Sequence, residues 1–219
     1  MSMQGMPSPC VCIDAPHIVR FETQVDNEMK FLTLLEKLRK SYEHSSKLTE
    51  NGVALLGVTT SPPPVAKHYV FPPMPPEVRQ YLLDSYKRSF PSELLEIYSV
   101  ANGMDLFWKD GTLPSGRVFP FSCLTICGYP VGPLRVQLQP SNITLEDTSR
   151  LPKTPESYLK FGFYKKIENL RCETEYELFI DTDDGSVCAA NRGTKEFCVE
   201  ERWASVDDCL CCLFERLAE

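Results

Sequence analysis

Seven prolines, Pro62, Pro63, Pro64, Pro72, Pro73, Pro75 and Pro76, crowd into the fifteen residues 62–76. Each fixes φ near about −65° and lacks the N–H that a helix interior or a strand ladder requires. The stretch is therefore expected to be neither helix nor central strand, and it is the best linker in the chain. It divides the 219 residues into an N-terminal extension with one helix and the proline-rich connection, 1–74, and a larger domain, 75–219. Ser61-Pro62-Pro63-Pro64 and Phe71-Pro72-Pro73-Met74-Pro75-Pro76 would suit a polyproline ligand, but neither carries the flanking Arg of a docking motif. A stiff surface connection is the preferred reading.

On either side of the prolines the hydrophobic period decides the elements. Phe31, Leu34, Leu35, Leu38 and Tyr42 recur at helical spacing and predict a helix over 26–45, followed by a short strand over 53–59. Val78, Tyr81, Leu82 and Tyr86 form one stripe over 77–88, and Leu94, Leu95, Ile97, Tyr98 and Ala101 form another that Asn102-Gly103 closes. Short strands are expected over 104–108, 117–121 and 124–129, with Lys109-Asp110-Gly111 as a turn between the first two. Longer strands follow over 158–164, 176–180 and 187–190, and 197–199 adds another. Ser205 with Asp208 resembles a capping box, and Val206, Cys209, Leu210, Leu213, Phe214 and Leu217 give a closing helix. Helices first, then a meander, then a helix make an α+β fold: an antiparallel β-sheet flanked by helices, with a closing C-terminal helix. Strands and helices do not alternate, which argues against a doubly wound nucleotide fold.

Charge narrows the classes of partner. The formal net charge is −7, yet 1–170 holds 18 basic and 17 acidic residues whereas 171–219 holds 5 and 13. An acidic chain is a poor match to phosphate, so nucleic acid is not expected, and a binding partner should be basic. No run approaches the about 20 apolar residues of a membrane helix, and residues 1–15 contain no Lys or Arg. A cytoplasmic protein without membrane contact is expected. Ten cysteines in a chain of this size read as reduced thiols used as small hydrophobes. Cys10-x-Cys12 and Cys123-x3-Cys127 lack C-x2-C spacing, so neither metal nor cofactor is expected.

Motifs of catalysis are missing: no G-x-G-x-x-G, no G-x4-G-K-[ST], no H-E-x-x-H and no G-x-S-x-G. His17, His44 and His68 all precede the β-rich part, and His44 and His68 read as solvated. No catalytic residue and no enzyme activity are expected. The concentrated acidic residues are a different matter. Glu173, Glu175 and Glu177 share one strand face at about 7 Å intervals, and Asp181, Asp183 and Asp184 adjoin them at a turn closed by Gly185. Asp181 is not the start of an EF-hand loop, because Gly185 falls fifth and Arg192 twelfth. Two readings stay open for the strand: a solvated face, or a docking surface for a basic protein with Tyr176 and Trp203 as aromatic anchors. Like charges so arranged repel unless solvated or met by cations. Of Cys209, Cys211 and Cys212, only the first lies on the apolar stripe; nothing nearby lowers a thiol pKa.

The order of these motifs resembles the SUKH superfamily, which includes bacterial immunity proteins and fungal glucan-synthesis regulators. Phe90-Pro91 with the helix through Asn102-Gly103, Leu159-Lys160-Phe161-Gly162, the hairpin from Tyr176 to Asp181 with Gly185-Ser186-Val187, and Trp203-Ala204-Ser205-Val206-Asp207 with its helix come in the family's order, over about 75–217. Phe163-Tyr164-Lys165-Lys166 departs from the family's glycine- and aspartate-rich stretch. The resemblance implies a non-catalytic binding protein, an intracellular immunity protein that neutralises a cognate, basic toxin domain by direct binding. The alternative that it implies is a regulatory or scaffold module of the glucan-synthesis-regulator type.

Overall fold

A computed structural model of the chain describes residues 29–59, 66–85, 90–112, 118–129, 141–145, 158–168, 172–191 and 199–218. Cys10, Cys12, His17, Pro62 to Pro64 and the ends of several expected elements, among them Tyr86, Arg117 and Phe197, lie outside the described residues. The fold is α+β. Four α-helices, α1 (Lys30–Ser41), α2 (Pro76–Ser85), α3 (Ser92–Val100) and α4 (Val206–Ala218), accompany twelve strands among the described residues. The strands are β1 (Lys47–Leu48), β2 (Ala54–Leu56), β3 (His68–Val70), β4 (Met104–Leu106), β5 (Lys109–Thr112), β6 (Val118–Phe121), β7 (Leu124–Ile126), β8 (Thr144–Leu145), β9 (Tyr158–Glu168), β10 (Cys172–Asp181), β11 (Val187–Asn191) and β12 (Val199–Trp203).

Ten strands form one antiparallel sheet in the order β1-β2-β3-β4-β7-β9-β10-β11-β12, with β8 on β9, and β5 with β6 forms a separate hairpin. Lys109-Asp110-Gly111 is thus strand and not the expected turn: it has a partner in β6, which pairs Lys109 with Phe121 and Gly111 with Phe119. The proline run is also corrected. β3 lies between β2 and β4 inside the sheet, because the prolines leave a gap over 65–71 long enough for three paired residues. α1 and β1 to β3 share the sheet and the main core with the rest of the chain: Phe31, Leu35, Leu56, Val70 and Met74 pack in one cluster with Leu94, Met104, Leu178, Leu210 and Phe214.

Two carboxylates tie the helices together. Glu93, in the first turn of α3, accepts the Val206 and Asp207 N–H groups at 2.9 and 3.3 Å and so caps α4. Asp207, in the first turn of α4, accepts the Lys30 and Phe31 N–H groups at 3.2 and 2.8 Å and so caps α1. Unmet N–H donors at a helix start carry partial positive charge, so each carboxylate satisfies two of them and the dipole together. Ser205 Oγ accepts the Asp208 N–H at 3.1 Å. On α2 the expected stripe is only partly buried: Leu82 is covered, whereas Tyr81 is 57% exposed and leans on the Tyr129 ring.

His68, expected in solvent, is instead buried on β3. Its Nδ1 accepts the Phe107 N–H at 3.1 Å, and its ring lies between those of Tyr42 and Phe107. Burial pushes its pKa down from 6.5 to about 4, with the Lys67 charge adding to the shift. An unfolded chain binds a proton below 6.5 that the folded ring refuses. Stability from His68 is therefore fully present above pH 6.5 and is lost as pH falls toward 4, at about 1.4 kcal/mol per pH unit. Urea midpoints measured across that window should fall by the equivalent of about 3 kcal/mol, and His68→Asn, which keeps an acceptor for Phe107, should flatten the slope.

Candidate functional site

β10 is amphipathic by alternation, and the two faces meet different surroundings. Tyr176, Leu178 and Ile180 point to the main core under the helices; Glu175, Glu177, Phe179 and Asp181 point the other way, where Phe179 packs with Tyr158, Cys188 and Ala190. Two of the acidic residues on that face are met by cations. Glu175 stands directly across from Lys165 on β9 and pairs with it at 3.7 Å. A register shift between Leu178 and Phe179 brings Lys160 opposite Phe179, from where it reaches Glu177 diagonally at 3.5 Å. Lys165 also sits 5.0 Å from the Phe121 ring centroid. Glu173 is described only in its backbone, opposite Ile167.

The eight expected contact residues do not make one exposed surface. Tyr176, Glu177 and Asp181 are buried at 6%, 8% and 5% exposure. Tyr176 stacks on its cross-strand neighbour Tyr164 with centroids 4.8 Å apart, which uses the ring face that an anchor would need. Trp203 is half-buried opposite Val187 and packs on the main core. Asp183 and Asp184 are exposed. They stand on a turn whose shape the carboxylates themselves hold: Asp181 Oδ1 accepts the Asp183 N–H at 3.0 Å, and Asp184 Oδ1 accepts the Ser186 N–H at 2.9 Å. Gly185 has φ of 77° and donates its N–H to the Asp181 carbonyl at 2.8 Å, so the positive φ expected of the Asp-Gly pair falls on the glycine.

A second polar group, which the sequence reading missed, fastens the far edge of the sheet to α4. Glu201 of β12 accepts the Tyr164 hydroxyl at 2.5 Å and both terminal nitrogens of Arg216 at 3.0 and 2.9 Å. The Arg216 hydrogen bond, more than the Tyr164 one, holds the Glu201 carboxyl below its usual range, and burial opposes this. Burial and the Glu201 carboxylate together push the Tyr164 hydroxyl far up, so it stays protonated as the donor. Only the chain fold brings these three residues together; their sequence separations of 37 and 15 carry no short-range signal.

Three of the described thiols, Cys188, Cys209 and Cys211, are poor nucleophiles. Burial pushes Cys188 up to about 11 and Cys209 well above its ordinary value, and burial with the Asp207 carboxylate raises Cys211 to about 12. Cys209 lies in the core, as its place on the apolar stripe implied, while Cys211 and Cys212 are half-buried. Among the described residues no group of three or more His, Cys, Asp and Glu side chains is placed to hold a metal ion. No helix of the described residues is long and apolar enough to cross a membrane. No family model, no curated protein and no solved structure matches the chain.

Proposed function

We propose that this protein is a non-catalytic binding protein, and within that class an immunity protein that occludes a cognate, basic toxin domain. The observation that supports the reading is the turn joining β10 to β11, where Asp183 and Asp184 stand exposed on a backbone fixed by Asp181 and Gly185. Fixed acidic groups raise the encounter rate with a basic surface and lose little entropy on docking. The lysines at Lys160 and Lys165 pair with Glu177 and Glu175 and so offset the charge in the middle of the strand, which is the weaker steering surface of the two. The resemblance of the motif order to that of the SUKH superfamily favours immunity over other binding roles.

The test is co-purification and association kinetics with the toxin domain encoded beside this gene. Asp183→Lys with Asp184→Asn, which keeps the acceptor for Ser186, should slow association about tenfold at low salt, the difference closing as salt screens the charges. An unchanged rate and unchanged salt dependence would remove the turn from the interface. Absence of any such neighbour, or of binding to it, would leave the regulatory or scaffold module as the better reading.

A further inference from the structure

Asp105 is a half-buried carboxylate that the described residues leave without a countercharge. Its sequence neighbours Met104 and Leu106 point into the main core, so alternation turns Asp105 to the opposite sheet face, where Tyr69 of β3 stands directly across from it. Its carboxylate accepts the Thr125 hydroxyl at 2.6 Å, and the Ser122 and Thr125 hydroxyls lie 2.7 Å apart. No Lys, Arg or His among the described residues pairs with it, and burial pushes the carboxyl up while the Thr125 and Ser122 hydrogen bonds pull it down. Phe107 takes φ of 57°, which breaks the strand after β4, and the next residue, Trp108, donates its backbone N–H to the Lys67 carbonyl at 2.8 Å. That bend lays the Trp108 indole against Tyr69, with centroids 5.2 Å apart and planes at 57°. The indole N–H is buried and has no acceptor.

We propose that Tyr69, Trp108 and Asp105 form a binding site for an alkylammonium cation. An aromatic ring face that solvent reaches attracts a cation, and a carboxylate held by hydroxyls supplies the opposite charge that no described residue provides. All three side chains are only half-buried, so each keeps a side that solvent reaches. The cation has two sources, a lysyl side chain of a polypeptide or a free amine. The site is several strands from the acidic turn in the sheet order and does not rest on the function proposed for that turn.

The chain has two tryptophans, so its full-length ¹⁵N-labelled form gives two indole N–H signals, one for Trp108 and one for Trp203. Titration with tetramethylammonium and with N-acetyl-lysine methylamide should move the Trp108 signal saturably and leave that of Trp203 in place, whereas the neutral 3,3-dimethylbutanol should move neither. Asp105→Asn, and separately Tyr69→Leu, should weaken binding about tenfold or more, with an unmoved Trp203 signal reporting an intact fold. Tighter binding of the lysyl compound assigns the site to a polypeptide, and equal binding of the two assigns it to a free amine. An unmoved Trp108 signal, equal shifts with the neutral alcohol, or full binding by a folded Asp105→Asn protein overturns the proposal.

Discussion

A fragment that begins at residue 75 is expected not to fold cooperatively, although the proline run marks the most visible boundary in the sequence. Removing 1–74 takes β3 off β4 and leaves that strand's ladder of N–H and C=O groups bare. It also takes Met29, Phe31, Leu35, Leu56, Val70 and Met74 out of a core they share with α3, α4 and the sheet. The Phe214 ring loses its edge contact with Phe31, whose centroid lies 6.2 Å away, and Asp207 loses the two N–H groups that it caps. In the whole chain a single truncation reports the same dependence. Phe31→Ala removes a ring that is 0% exposed and should lower stability by about 3–5 kcal/mol. Urea unfolding followed by near-ultraviolet circular dichroism checks both, and a 75–219 fragment with a sharp transition would show α1 and β1 to β3 to be dispensable.

Gly128→Ala is expected to cost about 3–5 kcal/mol, by forcing apart two segments that meet backbone to backbone. An added Cβ would overlap the Asn102 carbonyl oxygen and come within 2.7 Å of Asn102 Oδ1. Neither can retreat cheaply, because the Asn102 side chain is clamped to both backbone groups of one residue: its Nδ2 donates to the Tyr129 carbonyl at 2.6 Å and its Oδ1 accepts the Tyr129 N–H at 2.8 Å. Asn102 is 5% exposed, so groups left without partners there stay unhydrated. Overpacking costs about 1–3 kcal/mol and each unmet buried group about 1–3 more. Asn102→Ala should fall in a similar range by losing both bonds without overpacking, and Asn102→Asp should do worse because a carboxylate cannot donate to the Tyr129 carbonyl. Thermal melts of the three variants beside the parent protein give the order.

Asn102-Gly103 shows how far the sequence could be read. The pair was legible as a helix end, and α3 does stop at Val100, with Gly103 at φ of 92°. That the Asn side chain reaches across to Tyr129 was not legible, because its partner is 27 residues away and is met only through the folded sheet. The same division runs through the candidate site. Alternation placed Glu173, Glu175 and Glu177 on one face and the Asp-Gly pair at the turn. It said nothing of Lys160 and Lys165, which arrive from β9 and neutralise part of that face. His68 was read as solvated because it sits among prolines, yet three residues without proline were enough for β3.

By itself the sequence determined the helices, the longer strands and the α+β class, since helical and strand periods and the Asp-Gly turn act over a few residues and need no partner. Tertiary structure decided what the proline run could only suggest: the segments on both sides of it belong to one sheet and one core. It also decided which charges remain available. Strand register sets which residues face each other, and no local pattern encodes the identity of a neighbour brought in from far along the chain. Glu175 met a lysine across the ladder, Glu201 met Arg216, and Asp105 met the Thr125 hydroxyl and no cation among the described residues.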